Sequence, residues 1–471
     1  MCMAGILEVR PWGKPKRPRG ALDGPSEPEI GFSLASLWLL FGFVCAHCRP
    51  SQLQGLRMSS HTTPTPLRRR SVLQLLLSGG LGLGLGPALS GCGGGSEGSD
   101  QARITALLKA QAQAGVDAGL VGLVLGQVSG RAADVATAVA GRRRLGQGSS
   151  VVPSDRFAIG SNTKAMTSAA IVALAGRGGP ALGLSLPQAF PAWAGEIHPA
   201  YAQVTLADLL HHRGGLPAFN GSGPEDDAFM AAVSADTRPL PGTAAGRRSY
   251  FARWVLKLPA AQGVVPGRDF HYSNAGYVLA AAIVEAQTGR TFEAVFDEVL
   301  VQPLGLTGNW RSWVPTPTDT LWGHEGAQGA LTVVEATPGT LAIQDWLDII
   351  APAGNWACSG EAYAQWLRWH VLALRGQATP LPPGYVSDLR SAADGRYVWG
   401  WQAVATPRRT VLAHNGHVTG FMAEVALDRA GDFAVFGLSN TAWFAQDGSS
   451  WVLARIDQAL ADGLQQQSIA L

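Results

Sequence analysis

The stretch Phe157-Ala-Ile-Gly160-Ser161-Asn-Thr-Lys164-Ala-Met-Thr-Ser-Ala-Ala-Ile-Val-Ala-Leu174 decides how this chain is read. An extended, apolar lead-in ends at Gly160, and an Ala-rich helical run follows. Residues three apart on a helix are surface neighbours, so the Ser161 hydroxyl and the Lys164 amine can share a hydrogen bond. A free serine is a poor nucleophile near neutral pH and needs a base beside it. Lysine is that base only where burial or nearby positive charge lowers its pKa. Arginine, always protonated, cannot replace it. Lysine is also scarce here. Lys14, Lys16, Lys109, Lys164 and Lys257 stand against 31 arginines, and only Lys164 has a serine three positions before it.

Two further stretches bear on the same chemistry. In Phe270-His-Tyr272-Ser-Asn274-Ala-Gly-Tyr277, a Tyr-Ser-Asn turn precedes a second apolar helix. A tyrosine with an ordinary pKa near 10 is a weak base at neutral pH. Beside a lysine ammonium its phenolate is favoured, so Tyr272 and Lys164 would share a proton as a coupled pair. A plainer role for Tyr272 is a loop aromatic packed on the core, and for Asn274 a helix N-cap. Nearer the C-terminus, Val411-Leu-Ala-His414-Asn-Gly416-His417-Val-Thr-Gly420 reads as strand, glycine-rich crossing and strand, with further strands after it. Gly416 lets a backbone pass close to a ligand, and a strand edge there can offer an N–H to an oxyanion. Alone, His-Asn-Gly is equally an ordinary turn.

With these three elements in this order, the sequence resembles the serine β-lactamase and penicillin-binding protein superfamily. It is most similar to the class C branch, with its D,D-carboxypeptidases, D-aminopeptidases and related esterases. The family's Ser-x-x-Lys corresponds to Ser161 and Lys164, its Tyr-x-Asn to Tyr272 and Asn274, and its Lys-Thr-Gly or His-x-Gly to His414-Asn-Gly416. Leu209-Leu-His-His212-Arg-Gly-Gly215-Leu-Pro217 resembles a further loop of that branch, with Gly214 where serine is usual. Pro352-Ala-Gly354 and Trp399-Gly-Trp401 match a turn and a strand. The resemblance covers residues 101–465.

The resemblance implies that Ser161 attacks an amide, ester or β-lactam carbonyl, with Lys164 and Tyr272 relaying its proton to the leaving group. The N–H groups of Ser161 and His417 would hold the oxyanion, and water would release the acyl-enzyme. Asn274 would orient Lys164 or the substrate. His414 would stand where the family has lysine, near the substrate carboxylate or the tyrosine. Histidine is largely neutral above about 6.5 and holds an anion less firmly, which weighs against β-lactamase activity. Esters or D-amino-acid peptides are the favoured substrates. The competing function is a penicillin-binding-type sensor that acylates without turnover. No cofactor is implied.

The N-terminal region carries a separate message. Arg68-Arg-Arg70-Ser-Val-Leu leads into a Gly/Leu run and then Leu89-Ser-Gly-Cys92. A basic region, an apolar stretch and small residues make a secretory sequence, here of twin-arginine type. Leu-Ser-Gly-Cys resembles a bacterial lipobox. Residues 58–92 are therefore expected to be an export peptide with Cys92 lipidated, and 93–100 a Gly/Ser tether. The product would be an exported bacterial lipoprotein, periplasmic or held on the membrane through its lipid anchor. Residues 1–57 fit this poorly, and either Met58 is the true start or Phe32–Val44 is an anchor, although a short one. Cys45-x-x-Cys48 lacks the second pair a metal site needs.

From Cys92 onward the chain has 26 basic and 30 acidic side chains. That balance argues against nucleic acid; the resemblance implies a small-molecule or peptidoglycan-type peptide substrate. No His/Cys cluster has zinc-ligand spacing; His211-His212 reads as a structural loop. Trp310, Trp313, Trp356 and Trp399 are available to line a cleft, though a large aromatic more often packs in a core.

The expected fold is α+β and β-lactamase/transpeptidase-like. One antiparallel sheet drawn from both chain ends, starting with a hairpin near 119–141, would be flanked by helices, with a mainly helical subdomain inserted from about 175 to 350. An amphipathic helix, 451–464, would close the chain.

Overall fold

The computed structural model describes residues 96–467 and 469, apart from 131, 222, 312–320, 336–340 and 446–447. The expected lead, export peptide, Cys45, Cys48, Cys92 and Trp313 lie outside the described residues.

Helix α1 (Ser96–Asp117) leads into strands β1 (Gly122–Ser129) and β2 (Asp134–Gly141). The helix starts at Ser96, inside the stretch read as a tether. Five more strands come from the C-terminal part: β3 (Tyr397–Val398), β4 (Trp401–Ala405), β5 (Thr410–Val418), β6 (Phe421–Asp428) and β7 (Phe433–Ser439). They form one antiparallel sheet in the order β2-β1-β7-β6-β5-β4-β3. β1 meets β7 with Leu123 opposite Ser439, so the two chain ends close the sheet at its middle.

Alternation along β1 gives each face its own core. Leu123 and Leu125 pack with Ile104 and Leu108 of α1 and with Val452, Ile456 and Leu460 of the closing helix. Val124 and Val128 face the opposite way, into the larger core. That core is built on helix α2 (Thr163–Ala175), which carries the nucleophile motif, and it also takes in the later helix Gly360–Leu374.

The inserted region is mainly helical, as expected. It holds α3 (Pro224–Ala235), α4 (Ala244–Val255), α5 (Asn274–Thr288) and α6 (Leu341–Gly354). It also holds a hairpin, His324–Ala327 with Ala330–Val333, whose short strands gave no usable alternation. Arg248 of α4 ties the region together although its side chain is fully buried. It donates to Glu285 of α5, to Glu293, and at 2.8 Å to the Asp348 carbonyl of α6. A buried guanidinium is tolerated only when its donors are matched in this way.

Pro352-Ala-Gly354 is not a free turn but the last turn of α6. Trp310 and Trp356 pack edge-to-face with centroids 5.1 Å apart, and Trp356 is buried in the main core. Trp399 is buried against His211 at 4.1 Å. Cys358 is a free, buried thiol. Among the described residues no helix is long and apolar enough to cross a membrane.

Candidate active site

Ser161 sits in a single 3-10 turn, Gly160–Asn162, between a short extended segment and α2. The segment is pinned by Ile159 N donating to Trp356 O at 2.9 Å. Gly160 has φ +53, and a Cβ there would fall 2.3 Å from His417 N. A Cβ on Gly416 would fall 2.0 Å from Ile159 O and 3.0 Å from Ser161 N. The two backbones therefore cross with no room for a side chain on either. That crossing brings the Ser161 and His417 amides together, as the arrangement expected for an oxyanion site requires.

Three elements converge on Lys164, which is fully buried. Its Nζ lies 2.9 Å from Ser161 Oγ, 2.7 Å from Asn274 Oδ1 at the start of α5, and 2.7 Å from Ala353 O at the end of α6. The α2–α6 contact is fixed further by Thr167 Oγ1 donating to Pro352 O at 2.7 Å and by Trp356 N donating to Thr163 Oγ1 at 3.2 Å. Burial pushes the Lys164 pKa well below its ordinary value. In the neutral amine, two N–H groups point at the two carbonyl oxygens, and a tetrahedral nitrogen then directs its lone pair at Ser161. In the neutral amine that arrangement leaves a lone pair free for the Ser161 proton.

Tyr272 O–H donates to Ser161 Oγ at 2.8 Å. Burial raises its pKa above that of an ordinary phenol, so the phenolate expected from the sequence is corrected. Lys164 Nζ does lie over the Tyr272 ring, 4.9 Å from its centroid. Desolvation nevertheless outweighs that proximity. Tyr272 is a hydrogen-bond donor to Ser161.

Asn274 is the first residue of α5, not its cap. It bridges Lys164 and Phe219 O, to which its Nδ2 donates at 2.7 Å.

His414 lies on β5 near this centre. Its Nδ1 is bonded to Asn415 O and its Nε2 meets Tyr397 Oη at 3.1 Å. With Nδ1–H donating, Nε2 accepts from the tyrosine. Burial brings its pKa down to about 3, so His414 is a neutral imidazole. His417 contributes its amide to the crossing, while its imidazole lies 3.7 Å from Glu325 and 5.3 Å from the Phe444 ring.

Sequence reasoning missed four participants. Tyr397 holds His414. His212, 1% exposed, stacks on Tyr272 at 4.2 Å and accepts from Ser273 N at 3.1 Å. The other two act through main-chain carbonyls, at Ala353 and Phe219. His212 was visible as part of a loop motif, and Tyr397 was not singled out. Carbonyls leave no trace in residue types. Among the described residues no cluster of three or more His, Cys, Asp or Glu side chains is placed to hold a metal ion.

This sheet, this insertion and this serine–lysine–tyrosine centre are those of a β-lactamase-related serine hydrolase. A family model described as Beta-lactamase matches residues 107–459, and the chain belongs to that family. Among its relatives is Unguisins hydrolase ungD of Aspergillus violaceofuscus (strain CBS 115571), 24% identical over 289 residues. The match takes in 55% of this chain and 47% of that protein, so it spans about half the relative's length. Solved structures share the fold. The D-amino acid amidase from Ochrobactrum anthropi SV3 complexed with L-phenylalanine superposes with a TM-score of 0.58 at 18% identity, covering 78% of this chain and 98% of that one. The D-alanine carboxypeptidase AmpC from Burkholderia cenocepacia gives 0.55 at 15% identity, covering 79% and 100%.

Two outcomes follow from the buried amine and phenol. The rate should fall on the acid side as pH drops through the depressed Lys164 pKa, because protonation removes the lone pair. On the alkaline side it should stay level through the ordinary phenol range near 10. A kcat/KM profile measures both, and an alkaline fall centred in that range would show Tyr272 ionising normally. Folding also depends on Lys164. Between its depressed and ordinary pKa the unfolded chain binds the extra proton, so stability rises with pH across that window. Lys164→Met should lose this slope, so that the Tm of the variant relative to the parent declines as pH rises; a constant difference would contradict the buried neutral amine.

Proposed function

We propose that this protein cleaves amide bonds by way of an acyl-enzyme on Ser161, with peptides or amides of D-configured residues as its substrates. The observation that carries the chemistry is Lys164 Nζ held between two carbonyl oxygens and Ser161 Oγ. Ser161 attacks the carbonyl carbon as its proton passes to Lys164. The new oxyanion is held by the Ser161 and His417 amides. When the C–N bond breaks, Tyr272 gives its proton to the departing nitrogen and is reprotonated from Lys164. Water then attacks the ester by the reverse proton path, and Ser161 is regenerated.

The substrate class is supported by two kinds of fact. Proteins that share the fold include the D-amino acid amidase above and a D-stereospecific amidohydrolase from Streptomyces sp., and the Unguisins hydrolase is related in sequence. Within the site, His414 is neutral, so this position supplies no cation for a carboxylate beside the scissile bond. That favours acyl donors whose leaving side is an uncharged amide over penicillins.

Intact-protein mass spectrometry and turnover on matched D- and L-amino-acid amides, a penicillin and a p-nitrophenyl ester test this reading. A transient Ser161 adduct and faster turnover of the D-amide are expected. Ser161→Ala should remove the adduct and lower kcat by on the order of 10⁶-fold. Labelling that survives this substitution would reject Ser161 as nucleophile, and equal turnover of both enantiomers would reject the substrate class.

We further propose, on the sequence alone, that the protein is exported and tethered through a lipid on Cys92. Cys92→Ala should then move it from the membrane fraction to the soluble fraction; unchanged membrane association would reject the anchor.

A further inference from the structure

We infer that Phe219 is a positioning residue for Lys164, acting through its own carbonyl and the side-chain amide of Asn274. The inference rests on the reading of Lys164 as the base for Ser161.

Phe219 is a non-glycine residue with φ +48, a region that side chains carrying a Cβ seldom occupy. Such a conformation persists only where its surroundings over-determine it, and here they do. The ring is 1% exposed. It packs edge-to-face on Phe251 at 4.9 Å and lies 6.1 Å from Trp254 and 6.3 Å from Trp346. Phe229 joins the same group, 5.0 Å from Phe251. These rings come from α3, α4 and α6. The Phe219 amide donates to Glu225 Oε1 at 3.2 Å, in the first turn of α3.

The preceding residues run beside the Tyr272 loop. Ser273 Oγ donates to Pro217 O at 2.6 Å, and Asn274 N donates to Ala218 O at 2.8 Å. The turn at Phe219 then presents the next carbonyl to Asn274 Nδ2 at 2.7 Å.

That last bond sets which end of the amide faces the lysine. A carbonyl accepts and cannot donate, so Asn274 must give it the NH2 group. Oδ1 is thereby left for Lys164. With Oδ1 there, the amine spends an N–H on Asn274 and keeps its lone pair for Ser161. If the amide were reversed, its NH2 would donate to that lone pair, and the base would be occupied. The aromatic group of the helical insertion thus reaches the chemistry through one backbone carbonyl.

A double-mutant cycle tests the path. Asn274→Ala removes the amide through which the path runs, so the carbonyl of residue 219 has nothing left to orient there. In the parent, Phe219→Ala should lower kcat by about 10²-fold, the scale of a small misplacement of a catalytic group. KM should change little, and the loss should persist at every pH, because an occupied lone pair is not restored by removing protons. In the Asn274→Ala background the same substitution should cost less than about threefold. Equal losses in both backgrounds, or recovery of Phe219→Ala at high pH, would overturn the inference. Circular dichroism and Tm confirm that each variant is folded. If Phe219→Ala does not fold, Trp346→Leu, which thins the group around the ring from α6, replaces it in the same cycle with the same criterion. Lys164→Met separates the two levels of failure. Full activity in that variant would remove the base itself, whereas an inactive Lys164→Met with an additive cycle would remove only the role of Phe219.

Discussion

A primary amine buried without a counter-charge is expensive if it carries a proton and useful if it does not, and the arrangement around Lys164 turns on that difference. In a low-dielectric interior the ammonium loses its hydration, and two neutral carbonyl oxygens do not replace it. The amine is thereby kept as a base at a pH where a surface lysine would be fully protonated. The same two oxygens, Asn274 Oδ1 and Ala353 O, take up its N–H groups, so neutrality leaves no unmatched donor. They belong to α5 and α6, whereas the lysine belongs to α2. Three helices must therefore be held in register for one lone pair to point at one hydroxyl. The salt-bridged Arg248, joining α4, α5 and α6, accounts for much of that register.

The oxyanion side depends on a different constraint. Two main chains approach so closely at Gly160 and Gly416 that neither tolerates a Cβ. That proximity couples α2 to the sheet: β5 can occupy its place only if the turn before α2 occupies its own. The hydroxyl is thus set by helix packing, and the amides that stabilise its product are set by the sheet. The catalytic centre lies where the two halves of the fold meet.

Residue types and spacing were enough to find Ser161, Lys164, Tyr272, Asn274, His414 and Gly416, because each contributes a side chain, or the lack of one, that chemistry demands. The first strand was legible in its glycine-bounded apolar run and the closing helix in its amphipathic pattern, whereas the joining of both chain ends in one sheet came from the family resemblance. Three things were not legible. Main-chain acceptors such as Ala353 O and Phe219 O belong to any residue, so only tertiary geometry reveals them. The protonation of Tyr272 depends on burial, which a loop sequence does not disclose, and the phenolate expected beside an ammonium gave way once both groups were seen to be desolvated. Pro352-Ala-Gly354 was expected as a turn from the family resemblance, yet it forms the last turn of α6, close enough to that helix's end for proline to be tolerated.

The two neutralised groups near Ser161 also bear on one another. Lys164 and His414 would each raise the cost of charging the other, and both are desolvated. His414 is held by Tyr397 Oη at Nε2 and by a carbonyl at Nδ1, so its tautomer is fixed by partners outside the catalytic trio. Protonating it would require Tyr397 to surrender its bond and the site to accept a cation with no anion beside it. A site organised this way stabilises negative charge where it develops, at the oxyanion, through amide dipoles that need no reorganisation. A preference for uncharged substrates and preservation of the lysine lone pair would then both follow from one physical condition, a desolvated site that resists charge on either basic side chain.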